Sequence, residues 1–264
     1  MNVIIQEIKM NLKSLFFWAL GICFFVAMAG IEFKSYYGNS TINELMEVMP
    51  ESMRDAFSMG GSDLSTVTGY MGVIFMFTLL IASAHAATVG AGLLSSEFRN
   101  KTSDFVLTLP ISRSDILFKK IIGGVAICLI MLAVIFASTM SVVAQYDIET
   151  NFFKLYTLMI FGHFILQILF LSIGILASTV FKNPKKSGTF VLGYLGIMYF
   201  LQLMQPMHEK LEFLKYITPF KYYDASVISQ SLEIEPYTYI ISLILIVVSI
   251  TLSFNFFKSR DITY

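Results

Sequence analysis

Apolar positions in this chain are grouped into long blocks rather than spaced along alternating or helical stripes. Six blocks, at about 14–31, 68–94, 121–144, 155–181, 187–207 and 237–257, contain no Asp, Glu, Lys or Arg. A bilayer core of about 30 Å is crossed by roughly 20 apolar residues in helix. Blocks of this length, continuous instead of alternating, predict six membrane helices in preference to a barrel. Between them lie polar stretches that carry helical periodicity of their own. In residues 1–13, Ile4, Ile5, Ile8 and Leu12 share a face, which predicts an N-terminal helix resting in the membrane interface. In the stretch before the second block, Ile42, Leu45, Met46, Met49, Met53 and Phe57 recur every three or four residues. That predicts one or two short helices broken at Pro50, the second ended by Gly60-Gly61. The stretch 208–236, broken at Pro219 and rich in Tyr and Phe, predicts short helices at headgroup level that dip partly into the membrane. The fold class is therefore an all-α membrane protein, and residues 1–264 read as one membrane domain.

The polar segment 95–120, SSEFRNKTSDFVLTLPISRSDILFKK, changes this picture most. A connection between membrane helices needs only a handful of residues, and this one is long enough to hold a short helix outside the bilayer. Ser95 or Ser96 is expected to cap a helix starting near Glu97. Phe98, Phe105, Val106 and Leu109 would form its apolar ridge, with Arg99, Lys101 and Asp104 around it. Pro110 would end it, and Ser112-Arg113-Ser114-Asp115 would restart the chain into the third span.

Charge orients the molecule. With the N-terminus inside, twelve Lys and Arg fall on that side (Lys9, Lys13, Arg99, Lys101, Arg113, Lys119, Lys120, Lys182, Lys185, Lys186, Lys258, Arg260) and six on the other (Lys34, Arg54, Lys154, Lys210, Lys215, Lys221). The bias predicts both termini and the segment 95–113 in the cytoplasm. The net charge is +0, which gives no basis for a nucleic-acid partner. Lys9 and Lys13 before an apolar block, with Ala27-Met28-Ala29 after it, imitate a signal peptide. Because five more blocks follow, the first is expected to be retained as a span.

Candidate chemistry is sparse. Cys23 and Cys128 lie within apolar blocks and read as packing residues. No phosphate loop, HExxH, CxxC or GxSxG occurs, so ATP hydrolysis and metal chemistry are not expected of this chain. His85 and His163 are expected to make interhelical hydrogen bonds. Gln167, Gln202 and Gln205, with His163, are the polar candidates for a translocation path. Uncharged spans leave no titratable carboxylate for ion coupling, so energy should enter from elsewhere, and the segment 95–113 is the entry that offers itself. The alternatives are a secondary transporter or channel using His85, His163 and Gln167, whose best support is the four-residue spacing of the last two, and a non-transporting scaffold. On the second span, Ala82, Ala86 and Gly90, and likewise Ser83, Ala87 and Ala91, repeat every four residues. These rows suit close helix packing, within one copy or between copies.

At these residues the chain resembles the membrane subunit of ABC transporters of the ABC-2, or type V exporter, class. Glu97, Thr102 and Leu107-Thr108-Leu109-Pro110-Ile111-Ser112-Arg113 match the family's coupling-helix pattern, with Lys101 standing where the family has Gly. Pro50-Glu51-Ser52-Met53-Arg54-Asp55-Ala56-Phe57 is similar to its first external element, Thr218-Pro219-Phe220-Lys221-Tyr222-Tyr223-Asp224 to its Ser-Pro-Phe-x-Tyr element, and Phe257-Lys258-Ser259-Arg260-Asp261 to its basic-acidic ending. The resemblance implies a permease paired with a second copy or a homologous permease in the bacterial plasma membrane. It implies separate ATP-binding subunits that carry ATP and Mg, docked through Ser96, Glu97, Phe98, Arg99, Thr102, Asp104, Phe105, Pro110 and Arg113. The cargo it implies is an amphipathic or apolar substrate (peptide, drug or lipid-like) moved out of the cytoplasm.

Overall fold

The computed structural model describes residues 3–39, 41–60, 62–100, 112–181 and 183–259. Among them the elements are α1 (Val3–Tyr36), α2 (Thr41–Glu47), α3 (Glu51–Ala56), α4 (Val67–Asn100), α5 (Arg113–Val143), α6 (Phe152–Val180), α7 (Pro184–Met204), three 3-10 turns at Gln205–Met207, Glu209–Tyr216 and Pro219–Tyr223, α8 (Ala225–Ser231) and α9 (Pro236–Ser259). The described residues contain no strand. Six of these helices, α1, α4, α5, α6, α7 and α9, are long and apolar enough to cross a bilayer.

The boundaries depart from the sequence reading where polar residues continue a helix instead of ending it. The N-terminal stretch is not set off from the first span by a break: from Val3 it is continuous with that span in α1, which runs to Tyr36. No Pro or Gly interrupts residues 3–20, and the buried stripe Glu7, Leu15, Ile22, Val26, Ala29, Phe33 keeps one face against the bundle throughout. Pro50 does divide α2 from α3, as the N-cap residue of α3. Gly60-Gly61 is not what stops α3, which ends at Ala56; the left-handed residue is Ser58, at φ 55°.

Helices α4 and α6 form the centre. They lie side by side and parallel, and their approach is set by Gly90 and Gly174. A Cβ on Gly90 would sit 2.3 Å from the Leu171 carbonyl oxygen, and one on Gly174 would sit 2.5 Å from that of Ala87. Ala82, Ala86, Ala87 and Ala91 flank the crossing and are all buried inside this one chain. The two small-residue rows of the second span are therefore used for internal packing. One apolar cluster joins α1, α5 and Phe257 of α9 to this centre. The other joins α7, α8, α9 and the Pro219–Tyr223 turn. Large apolar side chains point outward on α1 (Phe16, Phe17, Leu20, Phe24) and α9 (Ile240, Leu243, Ile244, Val247). Such faces suit lipid, which is as apolar as they are.

The end of the bundle opposite Asn100 and Ser112, here called the crown, is built from aromatic rings and carboxylates. Phe33 is fully buried, stacks on Tyr70 at 4.6 Å between centroids and meets the Tyr146 ring edge-on at 4.9 Å. The Glu149 carboxylate accepts from both the hydroxyl and the N–H of Thr68 at the start of α4, where the helix dipole favours an anion. Asp63 accepts from Ser65 and Asn43, and these hydrogen bonds hold its carboxyl below the ordinary carboxylate value. The Pro219–Tyr223 turn packs into the bundle: Phe220 lies 5.2 Å from Phe170, and Tyr223 covers Gly162 and shares a 3.0 Å hydrogen bond with Ser242. Burial pushes the Tyr223 phenol up to about 12.

Candidate functional site

The second connection leaves the bundle through α4 and returns through α5. Helix α4 has 34 residues, about 50 Å at 1.5 Å per residue. That exceeds the hydrocarbon thickness of about 30 Å, so the last turns of α4 lie beyond a bilayer that encloses the apolar block. Ser96, Glu97, Phe98 and Arg99 lie in these last turns. The expected cap at Ser95 or Ser96 and the helix start near Glu97 are replaced by a helix that runs on to Asn100. The physical reason is that 93–99 holds no breaker, and a serine within good helix formers costs only a few tenths of a kcal/mol, about 0.5. Thr102, Asp104, Phe105 and Pro110 lie outside the described residues. The restart is as expected: Ser112 caps α5, its hydroxyl accepting from the Asp115 N–H at 3.1 Å, and Arg113 is the first helical residue.

Directly above this connection sits a pair that the sequence reading missed. The Lys120 ammonium donates to Glu7 Oε2 at 2.7 Å and to the Leu93 carbonyl at 2.8 Å. Both side chains are nearly inaccessible, at 1% for Lys120 and 3% for Glu7. Three helices, α1, α4 and α5, are thus fastened at one point. The Asn11 amide donates to the Glu7 carbonyl at 3.0 Å. Gly123 makes room for the carboxylate stem, since a Cβ there would lie 3.0 Å from Glu7 Cβ. Lys120 reads in sequence as one more positive-inside cation, and Glu7 as one polar residue in an N-terminal helix. The available signal was subtler: Glu7 falls on the buried stripe of α1, and Gly123-Gly124 follows Lys120 by one turn.

The polar candidates within the spans are dispersed. His163 is buried and lies 3.1 Å from the Thr78 hydroxyl on α4 and 3.2 Å from the Met159 carbonyl. A carbonyl only accepts, so with one proton on the ring Nδ1 carries it and Nε2 accepts from Thr78. This is the interhelical hydrogen bond expected of His163. His85 is different: it is buried beside Trp18, at 5.8 Å between ring centroids, and neither ring nitrogen has a hydrogen-bond partner among the described residues. Gln167 is fully buried with both amide atoms unpaired among the described residues, and Gln202 has its buried amide oxygen likewise unpaired. Gln205 lies at the crown, lining a cavity of about 150 Å³ with Lys215, Tyr216 and Tyr222. No described hydrogen bond joins His163, Gln167, Gln202 and Gln205 to one another. No group of three or more His, Cys, Asp or Glu able to hold a metal occurs among the described residues.

At this end of the bundle the long helix α4 and the capped helix α5 are joined by the Lys120–Leu93 hydrogen bond, and the Glu7–Lys120 ion pair ties α1 to α5. In comparison with known proteins, residues 1–262 match the sequence model described as ABC-2 family transporter protein. No curated protein matches the chain.

Proposed function

The chain belongs to the ABC-2 family of transporter proteins, and on that premise we propose that it is the permease of an ATP-driven exporter whose ATP-binding subunit docks on residues 95–113. The observation that carries the proposal is the joining of α4, the central helix, to α5 by one connection beyond the apolar block. A subunit gripping that connection holds a lever on the helix around which the bundle is packed. Glu97, Phe98 and Arg99 on the end of α4, Arg113 on the start of α5, and Ser96, Thr102, Asp104, Phe105 and Pro110 supply the contact surface. ATP and Mg stay on the partner, and this chain contributes no catalytic group. Both termini and the docking segment lie in the cytoplasm, a placement supported by the excess of Lys and Arg on that side. Two permeases, identical or homologous, form the pathway, and an amphipathic or apolar cargo leaves between them.

A secondary transporter or channel using His85, His163 and Gln167 is the weaker reading, because both nitrogens of His163 are engaged with Thr78 and Met159 and no described hydrogen bond joins the three residues. The test is co-expression with the ATP-binding subunit. Glu97→Ala and Phe105→Ala are each expected to lower permease-dependent stimulation of ATP hydrolysis about tenfold, which corresponds to about 1.4 kcal/mol, with membrane insertion unchanged. Full stimulation in both variants would remove the docking role from this segment.

A further inference from the structure

The Glu7–Lys120 pair has a use beyond holding the bundle together. A buried ion pair is a poor source of stability, since desolvation offsets most of the attraction, and apolar replacements of similar volume are often as stable. Its distinctive property is direction. Apolar contacts let two helices slide with little penalty because the hydrophobic effect does not specify register. A carboxylate and an ammonium 2.7 Å apart, with the ammonium also held by the Leu93 carbonyl at 2.8 Å, lose short buried polar contacts as soon as they separate. The pair lies where register matters. Leu93 is seven residues before the end of α4, and Lys120 is seven after the start of α5, so the two anchors bracket the connection 101–112. Glu7 belongs to α1, which has no chain continuity with that connection.

We propose that the Glu7–Lys120–Leu93 junction is the joint through which movement of the α4–α5 base is passed to α1, so that three helices move as one body when the docking segment is displaced. Glu7 and Lys120 are positioning residues for transport: they touch neither nucleotide nor cargo. The proposal rests on the reading of residues 95–113 as the docking segment.

The test uses the complex with its ATP-binding subunit and separates a joint from a structural bond. Lys120→Met alone is expected to lower the thermal midpoint, because the buried Glu7 carboxylate loses the Lys120 ammonium at 2.7 Å. The double variant Glu7→Met/Lys120→Met replaces both charges with apolar side chains of similar volume and is expected to recover the parental midpoint. Its permease-dependent ATP hydrolysis is nevertheless expected to fall about tenfold, within the range of ordinary coupling energies. Spin labels at Met10 on α1 and Phe118 on α5, both exposed, report the joint directly. In the parent their separation should be the same in nucleotide-free and vanadate-trapped complexes, and in the double variant it should change on trapping. A double variant that couples like the parent, or a parent whose Met10–Phe118 distance changes on trapping, overturns the joint. A parent permease that leaves the partner's ATP hydrolysis unaltered overturns the docking reading instead, so the two failures are told apart.

Discussion

Replacing Gly90 with leucine should cost the membrane domain about 3 kcal/mol, the upper range for overpacking a core, and lower its thermal midpoint in detergent accordingly. The atoms a side chain at 90 would strike are backbone: the Leu171 carbonyl oxygen at 2.3 Å, the Ile175 nitrogen at 3.0 Å and Gly174 Cα at 3.1 Å from the new Cβ. Backbone in the middle of a helix has no alternative rotamer, so α4 and α6 must move apart. That opens the contacts of Ala82, Ala86, Ala87 and Ala91 together, since all four depend on the same separation. Gly174→Leu should act similarly, because its Cβ would meet the Ala87 oxygen at 2.5 Å and the Ala91 nitrogen at 2.8 Å. Gly196→Ala in α7 is the control. A Cβ there has nothing within 4 Å, and the change should be neutral or slightly stabilising through helix propensity, by about 0.5–1 kcal/mol. A Gly90→Leu protein that melts with the parent would show that the α4–α6 crossing is not what holds the bundle.

Asp224→Ala is the second large effect, again about 3 kcal/mol, as expected when one partner of a buried ion pair is removed. The Asp224 side chain is wholly inaccessible. Its Oδ1 accepts from the Ser58 hydroxyl at 2.9 Å, the Ser226 N–H at 2.9 Å and the Ser226 hydroxyl at 2.8 Å, while Oδ2 receives the Lys221 ammonium at 2.5 Å. Alanine would strand all of these donors, uncap α8 and free the left-handed turn at Ser58, which belongs to a different part of the crown. Asp224→Asn retains an acceptor for Ser58 and Ser226 and should lose less. Thermal unfolding of the three proteins side by side checks the order. Equal midpoints for parent and Ala would remove the lock between the 41–66 crown and the segment before α9.

The six spans were legible because bilayer thickness imposes a length on apolar blocks, and the predicted blocks fall within or close to the observed helices. Pro50 and Ser112 were legible because a proline or a capping serine acts locally. The errors arose where tertiary contacts decide. Residues 1–13 continue α1 because its buried stripe includes Glu7, and a carboxylate in a stripe reads as polar until its lysine is found 113 positions away. The Asp224–Ser58 bond, across 166 positions, was hidden for the same reason. His85 and His163 are the same residue type in similar apolar blocks, yet only His163 faces a hydroxyl, Thr78. Sequence shows that a polar side chain lies within a span, but its partner is set by how the helices are rotated. The small rows of α4 were ambiguous for a related reason: spacing reveals a close approach, and only the position of Gly174 shows that the approaching helix is in the same chain.

The central claim is that the α4–α5 connection faces the cytoplasm, where an ATP-binding subunit can grip it. Its most direct measurement is the side of the membrane on which that connection lies. In a variant with Cys23 and Cys128 replaced, a single cysteine at Ser103 should resist a membrane-impermeant maleimide in intact cells and react once the membrane is opened. A single cysteine at Val48, exposed at the crown, should react in intact cells. Labelling of position 103 from outside, with position 48 protected, would contradict the account.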